Sequence, residues 1–209
     1  MAIRALLLDF NGTLSDDEPL LYAIFRELFD ELGKPITEAE YYDQLAGLSD
    51  PEVVEKWLGE PDPAVVARKI ERYRELSADG STVSFEARRA VLEAARQVAV
   101  AVVSGSARSE IEPVLAAAGL GSSIAALVAS EDVERGKPAP DGYLKALGLL
   151  GIGPDEAVAV EDSDVGIAAA KAAGLRCAAV SGTLPPDRLS AADEIIEHLD
   201  SDFVRRVLA

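Results

Sequence analysis

Five short apolar runs punctuate the chain, at Ile3–Leu8, Val98–Val103, Ile124–Val128, Ala157–Val160 and Leu175–Val180. Each is too short for a helix that spans a core, and each is bounded by Gly, Pro or charge, so they read as strands buried on both faces. Helical patterns separate them near Phe85–Arg96, Ser109–Ala118, Asp141–Leu150 and Val165–Ala173. Gly119, Gly151 and Gly174 stand where helix C-terminal caps belong. This alternation predicts an α/β fold, a mainly parallel sheet covered by helices on both sides. Between Ser15 and Asp79 the rhythm stops. Helical patterns at Glu18–Leu32, Thr37–Leu45, Pro51–Leu58 and Ala64–Leu76 follow one another with no clear strand, joined by turns at Leu48–Asp50 and Gly59–Asp62. The expected organisation is a core of residues 1–14 and 80–209, with a helical cap of residues 15–79 inserted over one edge of the sheet.

The chain's 209 residues are 49% apolar, enough to build a core of this kind. A formal net charge of −17 repels phosphate backbones, which excludes nucleic acid as a partner and favours a divalent cation. The single cysteine, Cys177, rules out an internal disulfide and reads as inert core within a Val/Ala-rich strand. No apolar run reaches membrane-spanning length, and the N-terminus lacks the basic-then-apolar layout of a secretory signal. The expectation is a soluble, cytoplasmic protein without a membrane partner.

Four polar groups cluster at the ends of the predicted strands. Asp9 ends the first, ahead of the turn Asn11-Gly12-Thr13. Ser104 follows Val102-Val103 in Val-Ser-Gly-Ser, and Lys137 sits in Arg135-Gly-Lys-Pro-Ala-Pro. Glu161-Asp162-Ser163-Asp164 follows Val158-Ala159-Val160 and precedes a helix. The C-terminal edge of an open α/β sheet is where ligands bind, so one cleft can collect all four. In this order and spacing the motifs resemble those of the haloacid dehalogenase superfamily, in the subgroup whose helical cap follows the first motif, which includes phosphoglycolate phosphatases and β-phosphoglucomutases. The resemblance covers nearly the whole chain and implies a Rossmann-like core with an inserted helical cap.

It also implies roles. Asp9 attacks a phosphoryl group of a small phosphorylated metabolite, and water later cleaves the aspartyl-phosphate. Mg²⁺, which prefers hard oxygen ligands, is held by Asp9, the main-chain carbonyl of Asn11 and Asp162, with Glu161 or Asp164 in support. Phe10, Asn11, Ser104, Gly105, Ser106 and Lys137 hold the phosphate; Lys137 also balances Asp9. The departure is Asn11, because phosphatases of the family carry an Asp there as general acid and base. That role is worth about 10²–10⁴-fold in rate, and an amide has no proton to give. Three explanations stand side by side: an engineered trap, a native enzyme whose leaving group is served by another acid or by none, and a catalytically weak phosphometabolite-binding relative.

Other branches are weighed by the same residues. Dehalogenation is disfavoured by Glu161-Asp162, which points to a metal. A phosphonate C–P hydrolase needs a cap lysine for a Schiff base; Lys34, Lys56 and Lys69 are the candidates, each expected to face solvent. Mutases of the subgroup resemble Leu45-Ala-Gly-Leu-Ser49 but follow it with an arginine, where this chain has Asp50, an acid expected to repel a second phosphate. Tyr22, Tyr42 and Trp57 are candidates to line the cleft. His198 is expected at the surface, and Arg108 either assists phosphate binding or is solvated. Neither the metabolite nor the choice between monomer and homodimer is written in these residues.

Overall fold

The computed structural model describes residues 2–209. Six parallel strands, β1 (Ala5–Leu8), β2 (Ala99–Val103), β3 (Ala126–Val128), β4 (Ala157–Glu161), β5 (Arg176–Val180) and β6 (Glu194–Ile196), form one sheet in the order β3-β2-β1-β4-β5-β6. Strands β1 and β4 are buried along their whole length, as runs without apolar/polar alternation require. The chain builds outward from β1 to β3, then restarts at β4 on the other side of β1. The point where the order reverses therefore lies at the C-terminal ends of β1 and β4, where a crevice opens.

The helices of the core are α5 (Phe85–Ala94), α6 (Arg108–Ala117), α7 (Asp141–Leu150), α8 (Asp164–Ala172) and α9 (Ser201–Leu208). Those of the cap are α1 (Glu18–Glu31), α2 (Glu38–Gln44), α3 (Asp50–Leu58) and α4 (Pro63–Leu76). Their starts follow from capping chemistry. Thr37 and Ser49 form capping boxes with Glu40 and Glu52, and Asp62 accepts from the N–H groups of Ala64 and Val65. The two chain crossings between core and cap are tied together: Asp16 N–H donates to the Thr82 carbonyl (2.8 Å) and the hydroxyls of Ser15 and Thr82 pair (2.7 Å).

The expected strands and helices are all present, with ends shifted by one or two residues. Two elements are additions. Strand β6 is a three-residue edge that carries no apolar run of its own. Helix α9 buries Phe203, Val204 and Val207 and packs on α5.

Candidate active site

Pairing register sets the site. Leu8 lies level with Val102 on β2 and Val160 on β4, so Asp9 emerges beside Val103 and Glu161, one residue short of Ser104 and Asp162. Asp9, Asn11, Ser104, Gly105, Ser106, Lys137 and Asp162 all border one cavity of about 40 Å³. At roughly 10–15 Å³ for a water-sized group, that volume holds about three such groups, comparable to the oxygens of one phosphoryl group.

Lys137 Nζ stands 2.6 Å from Asp9 Oδ1 and 2.6 Å from Glu161 Oε1, and Glu161 Oε1 also accepts from Tyr143 OH (2.5 Å). Burial works to lower the Lys137 ammonium, but the charges of Asp9 and Glu161 outweigh it and hold the group above its usual value. Lys137 is therefore a fixed positive charge beside Asp9. The second oxygen of Glu161 has no hydrogen-bond partner and lies where a Cβ at Gly166 would sit. Glu161 thus reaches the site chiefly through Lys137.

Carboxylate oxygens of Asp9, Glu161 and Asp162 lie within 4.8 Å of one another, all buried. Asp162 Oδ2 has no partner, although burial and the charges of Asp9 and Glu18 push this carboxyl well above its ordinary value. Converging, desolvated and unsatisfied oxygens fit the donor set of Mg²⁺. The turn at Gly12 makes the approach possible. With φ at +69° and a Cβ that would fall 1.9 Å from Asp162 Oδ2, only glycine fits there.

Asn11 is held on both sides. Its Nδ2 donates to Asp17 Oδ2 (2.9 Å) and its Oδ1 accepts from Ser106 Oγ (2.6 Å). Asp17 also accepts from Tyr73 OH (2.5 Å) and from Gly12 N–H (3.3 Å). Burial, partly offset by these donors, pushes its carboxyl up to about 6. The Phe10 side chain is core, its carbonyl accepts from the N–H groups of Leu14 and Ser15, and Phe10 is not among the residues that border the cavity.

The cap closes over the cavity. A Cβ at Gly47 would meet Ser163 Cβ at 2.7 Å, and Ser49 lies 3.6 Å from a Cβ built at Gly105, so the turn before α3 rests on the core loops. Glu18, Tyr41 and Asp50 supply the polar part of the cap wall, and Tyr41 OH donates to Glu18 Oε2 (3.1 Å). At Glu18 the cavity adjoins a wider cleft of about 580 Å³ bordered by Asp16, Tyr42, Glu86 and Glu197.

Several expectations about individual side chains are corrected. Lys69 does not face solvent: it is 1% exposed and bridges Asp50 (2.8 Å) and Glu110 (2.9 Å). Asp50 is accordingly charge-paired, and repulsion by a bare cap acid is no longer a reason against a second phosphate. The cavity wall still offers no cation besides Lys137 among the described residues. Trp57 stacks on Phe29 and caps the Lys34 carbonyl, so of the three aromatic candidates only Tyr42 borders a cleft; Tyr41 was not among them. Arg108 is engaged by Asp132 and Glu112, and Asp164 by Arg188. His198 is exposed, as expected, yet it borders the wide cleft together with Gly12 and Thr13.

Comparison with known proteins agrees with this layout. The family profile for haloacid dehalogenase-like hydrolases matches residues 6–180. The chain belongs to that family. It is 31% identical to Protein CbbY of Rhodobacter capsulatus, over 96% of each chain. It is 27% identical to the validoxylamine A 7'-phosphate phosphatase of Streptomyces hygroscopicus subsp. limoneus, over 94% of each. The crystal structure of CbbY from Rhodobacter sphaeroides in complex with phosphate superposes with a TM-score of 0.84 at 30% identity, covering 94% of this chain and 95% of the other. The protein is thus an enzyme of the haloacid dehalogenase-like hydrolases, with their parallel-sheet core and helical cap.

Proposed function

We propose that this family member is a Mg²⁺-dependent phosphatase of a small phosphorylated metabolite, working through an aspartyl-phosphate on Asp9 within a core of residues 1–14 and 80–209 closed by a cap of residues 15–79. The observation that carries the reading is the convergence of Asp9, Lys137, Ser104 and Asp162 on one phosphoryl-sized cavity. A carboxylate attacking a phosphoryl group must have the oxyanions neutralised and held in line. Lys137 supplies a permanent charge 2.6 Å from Asp9, and Ser104, Gly105 and Ser106 form the turn against which the phosphoryl oxygens rest. Asp9, Asp162 and the Asn11 carbonyl are suited to hold Mg²⁺, whose contribution is to neutralise phosphoryl charge; Glu161 keeps Lys137 aimed. The phosphate bound by the CbbY relative and the phosphate ester named for the Streptomyces relative support this substrate class. The wide cleft beyond Glu18 gives the rest of a metabolite the room that the small cavity lacks. The single cysteine and the acidic surface suit a cytoplasmic setting.

A C–P hydrolase of the Schiff-base kind loses its support. Burial lowers the Lys69 ammonium, but Asp50 and Glu110 more than reverse that and leave no neutral amine. Lys34 and Lys56 are exposed. The test is phosphate release from a panel of phosphate esters with Mg²⁺, for the wild type and Asp9→Asn. The wild type is expected to release phosphate and to carry a phosphoryl group on Asp9 when quenched in acid; Asp9→Asn is expected to do neither while still binding ester in a thermal-shift assay. Ester binding without release, even in Asn11→Asp, would make the protein a non-catalytic binder.

A further inference from the structure

The leaving oxygen of a phosphate ester needs a proton, and position 11 has none to give. In-line transfer to Asp9 puts that oxygen on the far side of phosphorus, toward the cap. Four carboxyl groups border the cavity: Asp9, Asp162, Asp50 and Glu18. Asp9 is the attacking group and Asp162 stands in the metal-fitting cluster on the core side. Asp50 gives both oxygens to the Lys69 ammonium (2.8 and 2.9 Å). Glu18 remains, set in the cap wall among Leu21, Phe25 and Val53. We propose that Glu18 is the general acid and base of this chain, taking the task that the family gives to an Asp at position 11; the proposal rests on the phosphatase reading above.

Glu18 is 7% exposed, one oxygen accepts from Tyr41 OH, and the other has no donor among the described residues, leaving it free to meet a ligand. Burial, then the charge of Asp17 beside it and that of Asp9 across the cavity, push its carboxyl up to about 8, against the opposing pull of Tyr41 and Lys69. The charge of Glu18 in turn helps to raise the carboxyl of Asp162 and the hydroxyls of Tyr41 and Tyr42. Glu18 therefore holds a proton at neutral pH and can release it, which is what a general acid requires.

The steps balance. As an Asp9 oxygen bonds to phosphorus, the bond from phosphorus to the leaving oxygen breaks and the Glu18 proton moves to that oxygen, giving a free alcohol and a Glu18 carboxylate. Water then attacks the aspartyl-phosphate, its proton passes to Glu18, and inorganic phosphate and the Asp9 carboxylate are regenerated.

The experiment compares the Mg²⁺-loaded wild type and Glu18→Gln on an alkyl phosphate and on p-nitrophenyl phosphate, whose leaving group departs as a stable anion. Glu18→Gln is expected to lose about 10²–10⁴-fold in the rate of alcohol release from the alkyl ester. On the nitrophenyl ester it is expected to release one equivalent of nitrophenolate in a burst close to the wild-type rate and then to stall with the phosphoryl group on Asp9, because hydrolysis of that intermediate still lacks its base. The alkaline limb of the alkyl pH profile should vanish with it, and adding Asn11→Asp to Glu18→Gln should return alkyl turnover. The retained nitrophenolate burst also shows that the variant is folded. Equal losses in the two first-step rates, or loss in neither, overturn the proposal while leaving the phosphatase reading intact. A wild type silent on every ester removes both.

Discussion

Asn11 is matched to its neighbours. Its amide donates to a carboxylate, Asp17, and accepts from a hydroxyl, Ser106; an Asp in its place keeps only the second contact. Above the Asp17 value of about 6, an Asp at position 11 faces a second carboxylate at hydrogen-bonding distance; below it, the pair shares one proton. Asn11→Asp is therefore expected to cost about 1–3 kcal/mol at pH 8 and much less at pH 5, measured by urea unfolding at both pH values. An equal cost at the two values would make the effect one of packing alone. Asp9, Ser104, Lys137 and Asp162 were legible as an ordered set and not singly, because each stands at or just beyond an apolar run, or in a short polar motif between two, and any one of them alone is an ordinary polar residue at a strand end. Asp17 and Glu18 were not legible. They are adjacent acids after a turn, a pattern that reads as exposed, and what buries and tunes them comes from Tyr41 on α2 and Tyr73 on α4.

At the level of elements, a buried ion triad joins cap and core. Lys69 on α4 joins Asp50, the first residue of α3, to Glu110 in the first turn of α6, whose Oε2 also accepts from Ala107 N–H just after the Ser104-Gly105-Ser106 turn. Closure of the cap and the shape of the phosphate turn therefore share a residue. Removing one member of such a cluster strands the others without compensation, so Lys69→Met is expected to destabilise by about 3–5 kcal/mol in urea unfolding. Replacing all three with apolar residues should recover most of that loss; failure to recover would mean that the triad matters by shape and not by charge. The sequence held a signal for this burial: Val65, Lys69 and Tyr73 recur every fourth residue on α4, one helix face. Reading lysine as solvent-facing overrode it. Strands β1 to β5 were legible because burial on both faces leaves uninterrupted apolar runs. Strand β6 was not, since three residues at a sheet edge, half exposed, carry no period, and α9 is a two-turn helix in a charged tail.

Across the whole molecule, a net charge of −17 means that folding gathers acids against their mutual repulsion. Five buried carboxyls have folded-state values above their ordinary ones: Asp17 rises from 3.8 to about 6, Glu110 and Glu161 from 4.5 to about 7, Glu18 from 4.5 to about 8, and Asp162 rises well above 3.8, each with burial as the main cause. A raised carboxyl favours the protonated form in the fold, so its contribution is complete below about pH 4 and is lost as pH climbs through the folded value. Lys69 and Lys137, also raised, hold their contributions to well above pH 10 and do not act in this window. The metal-free protein is therefore expected to lose stability steadily between pH 5 and 8.5, seen as a falling urea midpoint. Mg²⁺ should restore part of it, because a ligand that binds only the folded state stabilises by about 2.7 kcal/mol at a hundred times its Kd. The restoration should grow with pH as the carboxylates ionise and should disappear in Asp162→Asn, whose amide cannot supply the missing charge. A magnesium effect that survives Asp162→Asn undiminished would place the ion elsewhere on the acidic surface and separate the pH dependence from the active site.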